Sequence, residues 1–272
     1  MKKINQKLLN PKLDYVFKRI FGRQGNESIT KNFLSAILNQ NITDIILEEN
    51  TILPIDMLDD KVGILDVKAK IDGSTNCDIE MQIVNKKNIE KRILFYCSKM
   101  YVQSIKTGKD YLELEKSIAI WITDYEIPSL KEIKKYVSKW NLREEDYGNL
   151  ILTDAIEIVI IELSKFERYK NNTKLAEWVK FINNPRVINM ENKEIKKAKE
   201  VLDEISQDKH ERYLAELREK YIMDQKAVEA AGFDKGLEHK TLELAKKMKQ
   251  KNIPTETIEE ITGLSKEEIK KL

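Results

Sequence analysis

The chain has 272 residues, 41% of them hydrophobic and 35% charged, with 48 Lys+Arg set against 46 Asp+Glu. A core can therefore form inside a heavily charged surface, and with only 9 Gly and 5 Pro the disordered, collagen-like and low-complexity classes are excluded. Two Cys and two His leave no disulfide framework and no Cys₄ zinc site, and they argue against a Ser-His-Asp triad, while a net charge of +2 spread evenly along the chain neither supports nor excludes a nucleic-acid partner.

The opening MKKINQKLLN lacks the apolar run of a secretory signal, and no window approaches the roughly 18 uncharged apolar residues of a membrane span. A cytoplasmic, soluble protein with no membrane partner is expected. Residues 12–40 read as helix, with Leu13, Val16, Phe17, Ile20 and Phe21 at helical spacing. Gly22 and Gly25 interrupt it before Ile29, Phe33, Leu34, Ile37 and Leu38 resume. TDIILEENTILPI (43–55) is a strand candidate, and ILDVKAKI (64–71) and CDIEMQIV (77–84) both alternate. Asp72-Gly73, followed by 74–76, supplies the turn that joins the last two as an antiparallel hairpin. Helical spacing returns with Ile89, Ile93, Leu94, Cys97, Met100, Tyr101 and Ile105, and Gly108 supplies a stop. KSIAIWITDY (116–125) reads as a buried strand, NLILTDAIEIVIIEL (149–163) as a strand pair or one long strand, and LAEWVKFI (175–182) as a short helix. From about residue 192 the chain is charged helix.

The hairpin carries the chemistry. Period two places Asp78, Glu80 and Gln82 on one face of the second strand, and Asp66 stands between Leu65 and Val67 on the first. A carboxylate within an apolar strand is costly unless it is paired or holds a cation. Two of them aimed at one pocket suit a hard divalent ion such as Mg²⁺, which takes one or two carboxylates and completes its shell from water and substrate phosphate. On residues alone the other reading also stands: Asp66 and Glu80 as ordinary exposed residues of a half-solvated hairpin. Asp78 is read as a solvated rim residue.

Asp66, a turn, and then Glu80-Met81-Gln82 resemble the PD-(D/E)XK nuclease signature, in the branch of recombination-promoting nucleases and transposases that carries ExQ in place of ExK. The likeness also takes in LDYVFKRIFG (13–22), NFLSAIL (32–38), ILDVKAKIDG (64–73), DIEMQI (78–83) and 91–124, all in one order. It implies a restriction-endonuclease-like α/β fold with an αβββαβ core and a mainly helical C-terminal extension. It also implies a DNA endonuclease of low sequence specificity linked to recombination or mobile elements. In that reading Asp66 and Glu80 ligate Mg²⁺, with Mn²⁺ as a substitute, and the backbone carbonyl of Met81 adds a ligand. Gln82 takes the usual lysine position, and Asp14 matches an acid that some superfamily members aim at the site.

Gln82 is neutral, so the missing cation has to come from elsewhere. The candidates are Lys68, two residues beyond Asp66 on the same face, and Arg92, one turn before Tyr96, whose guanidinium grips phosphate in two-point fashion. The alternative to an enzyme is a DNA-binding or scaffold protein that keeps the nuclease fold. The expected divisions are a nuclease-like core over 1–165, a helical extension over 166–250 and a helix-turn-helix-like module over 251–272. In that module Gly263 ends one helix and Ser265 with Glu268 caps the next, while Ile258, Ile261, Leu264, Ile269 and Leu272 form an apolar face. Its second helix offers acids where a groove reader wants Arg or Asn, so packing or homo-oligomerisation through the C-terminal helices is expected. The heptad over 192–250 is too irregular to read as a coiled coil.

Overall fold

A computed structural model describes residues 7–48, 66–85, 88–187 and 191–272. The chain divides into two units, Met1–Glu219 and Lys220–Leu272. The first begins with α1 (Asp14–Phe21) and α2 (Glu27–Leu38), followed by strands β1 (Ile45–Glu48), β2 (Val67–Ile71) and β3 (Thr75–Gln82) and by α3 (Ile89–Gln103). Next come β4 (Lys116–Thr123), β5 (Val137–Arg143), β6 (Ile151–Glu162), α4 (Phe166–Tyr169), α5 (Lys174–Asn183) and α6 (Lys193–Gln207). The long α7 (Lys209–Gln250) contains the division between the units, and α8 (Thr255–Thr262) and α9 (Lys266–Lys271) close the second. The expected αβββαβ core is present as α2-β1-β2-β3-α3-β4, with helices dominating the C-terminal part.

The helical opening is broken where Gly22 and Gly25 stand. Thr30 donates back to the Phe21 carbonyl and Asn26 to the carbonyls of Arg19 and Ile20, so the two helices are pinned across the break. The hairpin turn has positive φ at Asp72 (46°) and Gly73 (73°). Asp72 also accepts from the amides of Thr43 and Asp44, which ties β1 to the same turn. Residues 149–163 form one long strand, with β6 the only strand among them. Residues 49–55 of the first strand candidate, and Ile64 and Leu65 of the second, lie outside the described residues. β5 was not foreseen: VSKWNLR is mostly exposed or half-exposed and shows no buried alternation to announce it.

The six strands form one mixed sheet in the order β1-β2-β3-β4-β6-β5. β2 pairs antiparallel with both β1 and β3, whereas β3-β4 and β4-β6 are parallel. Parallel neighbours need a crossover, and α3 is the one between β3 and β4. On one face lie Val67, Ala69, Ile71, Cys77, Ile79, Met81, Ile118, Ile120 and Ile122, all buried. The end of α1 reaches this face at Val67, and α1 and α2 bury an aromatic cluster of Phe17, Phe21 and Phe33 with Trp178 and Phe181 of α5. On the other face Ile89, Ile93 and Cys97 of α3 pack on Ala119, Trp121 and Ile160. That helix covers β4 and β6 and so leaves the β2-β3 part of its face to polar residues. Leu94 does not join this core and is exposed.

α7 is fastened to α1 within the first unit. Arg218 donates to both oxygens of Asp14 at 2.6–3.1 Å, and Glu211 accepts from Arg19 and from the Tyr15 hydroxyl. A buried ion pair closes the other end of the sheet. Lys165 stands 2.7 Å from Glu162 and also donates to the carbonyls of Leu130 and Ile133, while Glu162 accepts from the Ile127 amide. Both side chains are almost wholly withdrawn from solvent, 1% and 2% exposed.

In the second unit Ala245, Met248, Ile258 and Ile269 form a small core with Ile253, Leu264 and Leu272 against it. Gly263 takes φ 71°, and Ser265 and Glu268 form the capping box. Ile261 lies outside the predicted apolar face, 58% exposed. Because removing one member of a buried pair strands the other's charge, Lys165→Met is expected to destabilise the fold by about 3–5 kcal/mol in denaturant unfolding. Lys165→Met combined with Glu162→Gln should recover part of the loss, since the amide oxygen still accepts from Ile127.

Candidate active site

Pairing places the polar residues opposite one another. Lys68 faces Asp78 across β2-β3 and Glu48 across β1-β2, while Glu80 faces Trp121 and Asp78 faces Ala119 across β3-β4. Asp66 immediately precedes β2, and continuing its register sets it opposite Glu80. Asp66, Lys68, Asp78, Glu80 and Gln82 therefore share the α3 face, beside the area that helix covers. Met81 is buried on the opposite face, 4% exposed, so that only its backbone can serve this side.

The electrostatics of the group are dominated by like charge held out of water. The Asp66 carboxyl is pushed well above the ordinary carboxylate range, first by burial and then by repulsion from Glu80 and Asp78. Lys68 and Lys18 pull in the other direction. Asp78 is raised to about 6 by burial, against the attraction of the same two lysines. It is not the solvated rim residue the alternation suggested: its Oδ1 is buried with no hydrogen-bond partner among the described residues. The hydroxyls of Ser117 and Tyr125 are likewise buried without a hydrogen-bond partner among the described residues.

Lys18 is the residue that sequence reasoning passed over, since it sits inside an apolar helical run. It is 3% exposed, and its stem lies close to Gly22, which also approaches Val67, the residue after Asp66. Burial lowers its ammonium from the usual lysine range, and Asp66 opposes that shift. The only sequence signal was its helical phase, one turn after Asp14 on the face that turns inward.

Arg92 stands in the first turn of α3, with Nη2 3.6 Å from the Glu80 carboxylate. Its guanidinium lies 5.7 Å from the ring centres of both Tyr96 and Trp121, so two aromatic faces hold it in place. Tyr96 packs against the α3 core, while Lys99 is exposed. Gln82 is buried, and its Nε2 donates to the Val84 carbonyl at 3.2 Å, while its Oε1 has no hydrogen-bond partner among the described residues. Asp14 lies in the Arg218 clamp and also accepts from the Tyr15 amide at 2.8 Å.

Residues Asp66, Lys68, Glu80, Gln82, Arg92 and Tyr96 thus fall on one face, with Asp14 engaged at α1. Among the described residues, no group of three or more His, Cys, Asp or Glu side chains could hold a metal ion. A two-carboxylate site is nonetheless what Mg²⁺ commonly takes. The donors here are all hard oxygens, and the repulsion raising Asp66 together with the unpartnered Oδ1 of Asp78 is what a divalent cation would relieve. The residues fit such an ion.

No curated protein and no solved structure matches the chain. Residues 11–232 match the family model of the PD-(D/E)XK nuclease family transposases. That match spans most of the chain and agrees with the mixed sheet and its order of elements, so the protein belongs to the PD-(D/E)XK nuclease family transposases.

Proposed function

We propose that the chain hydrolyses DNA phosphodiester bonds as a divalent-metal-dependent endonuclease of low sequence specificity, in recombination or the movement of mobile elements. One observation supports the reading: Asp66, the residue just ahead of β2, is buried close enough to Glu80 of β3 for that carboxylate to raise its pKa. Family membership supports the nuclease and mobile-element link.

Asp66 and Glu80 would hold Mg²⁺, or Mn²⁺ in its place, with the Met81 carbonyl as a third protein oxygen. The ion, when bound, polarises the scissile phosphate and lowers the pKa of a bound water. Arg92 is the cation that replaces the motif lysine: set beside the rings of Tyr96 and Trp121, its planar fork is ready to grip a phosphate oxygen beside Glu80. Lys68 adds positive charge on the same face. Gln82, whose amide hydrogen is given to Val84, keeps its Oε1 to accept from a water and orient it. Asp14 contributes by position, holding α1 and so Lys18 in place. Contacts of this kind read phosphates and not bases, which accords with low sequence preference.

A second reading is a chain that binds DNA without cutting it. The neutral Gln82 and the engagement of Glu80 by Arg92 favour it. Nicking of supercoiled plasmid separates the two. Wild type with Mg²⁺ or Mn²⁺ is expected to nick and EDTA to stop it, while Asp66→Ala and Glu80→Ala each lose at least about a hundredfold in rate. Salt-sensitive DNA binding that persists in EDTA, with no cleavage in either metal, would favour the second reading.

Arg92→Ala is expected to lower turnover about a hundredfold, with Arg92→Lys restoring little because an ammonium cannot reproduce the planar fork. The carboxylate repulsion has its own signature in stability. In metal-free protein near pH 8, Asp66→Asn should raise the melting temperature by about 2–4 °C, since it removes a desolvated and repelled charge. Mg²⁺ should then stabilise wild type and leave Asp66→Asn unchanged.

A further inference from the structure

The segment that leaves β4 beside Gln82 is fastened at both ends and from within. Thr123 ends β4 opposite Gln82, and the Asp124 amide donates to the Gln82 carbonyl, so the chain enters this loop at the end of the sheet where Glu80 stands. Tyr125 follows, close enough to Glu80 and Arg92 for both charges to act on its hydroxyl. Ile127 and Leu130 then pack with Ile89 and Ile93 of α3, and the Ser129 hydroxyl donates to Glu90, two residues before Arg92. The buried Glu162–Lys165 pair holds the loop from inside. Glu162 accepts from the Ile127 amide, and Lys165 donates to the carbonyls of Leu130 and Ile133. A buried ion pair is a weak source of stability, and the side chains of this one bond to the loop and to each other. Fixing the loop is what the pair accomplishes.

The outer side of the fixed loop is basic. Ile127, Leu130 and Tyr136 are buried, whereas Lys131, Lys134 and Lys135 are exposed, with Glu132 the one acid among them. Several lysines elsewhere on this unit are taken up by acids, Lys70 by Glu115, Lys116 by Glu157 and Lys197 by Glu194. The three of the loop carry no ion pair among the described residues. The acids at its start are already engaged, Asp124 by Lys12 and Glu126 by Arg168. Exposed ammonium groups on a held backbone, with the apolar residues turned inward, suit a phosphate backbone and not a lipid surface. We propose that Lys131, Lys134 and Lys135 form a docking ridge for duplex DNA, contacting phosphates that flank the one at Glu80 and Arg92. The assignment of DNA as the partner rests on the nuclease reading of that site.

Equilibrium binding of a fluorescent duplex to the full chain, in Ca²⁺ and over a range of salt, tests the ridge apart from cleavage. Replacing all three lysines by Gln is expected to weaken binding at least about tenfold near about 0.1 M salt. It should also make the plot of log K against log salt shallower by about 2 to 3, whatever the DNA sequence. Replacing them by Arg should keep both affinity and slope, since the contacts are made by charge. Gln at Lys174, Lys180 and Lys193, exposed on α5 and α6, should change neither. In nicking assays with Mg²⁺ the Gln variant of the ridge should need more DNA for half-maximal rate and reach the wild-type rate at saturation. A wild type that binds no duplex, wild-type affinity in the Gln variant of the ridge, or an equal loss in the α5 and α6 variant would each overturn the ridge while leaving nicking to decide the nuclease reading. Weakened binding in a chain whose wild type nicks nothing would uphold the ridge and overturn that reading.

Discussion

The register of β3 is the constraint on which the rest of the molecule depends. This strand pairs antiparallel with β2 on one side and parallel with β4 on the other, and both pairings must hold at once. Together they send Cys77, Ile79 and Met81 into the helical layer of α1 and α2, and Asp78, Glu80 and Gln82 to the opposite face. A slip of one residue would exchange the two sets, burying three polar groups under helices and exposing three apolar ones. The apolar side thus enforces the polar side: the hydrophobic core keeps the carboxylates where they are, at a cost in desolvation that falls on Asp66 and Asp78.

Such a cost is expected where a site is arranged for a ligand and not for stability. α3 contributes to this by what it omits. Its buried residues Ile89, Ile93 and Cys97 bind it to β4 and β6. Arg92 leaves the helix where Trp121 lies beside its guanidinium and Glu80 is in reach. The proposed chemistry therefore rests on a helix that is displaced to one side of the sheet.

Much of this was legible in the sequence. The two-residue alternation of β3, the Asp72-Gly73 turn and the break at Gly22–Gly25 are local patterns, and each reappears in three dimensions. Asp78, Glu80 and Gln82 share a face as the alternation indicates, because the period of a strand sets faces without reference to anything distant. The misses share one physical cause, which is dependence on partners far along the chain. Lys18 looks like a surface residue until β2 is laid beside it. Asp78 looks solvated until β2 and β4 are laid on either side of it. Arg218 is 204 positions from Asp14 and carries no local mark of their pairing. β5 announces little because so few of its residues are buried, and burial is what impresses a pattern on a strand.

The clamp between α7 and α1 also bears on how the chain can be dissected. The sequence suggests that the nuclease-like core ends near residue 165. A fragment cut there would leave Asp14 without Arg218, and Arg19 and Tyr15 without Glu211, on the helix that also presents Lys18. It would lose as well Trp178 and Phe181, which complete the aromatic cluster beneath the sheet. The smallest piece that retains every partner of α1 extends to residue 219, so what looks from composition like an appended tail is, for its first turns, a wall of the nuclease fold itself.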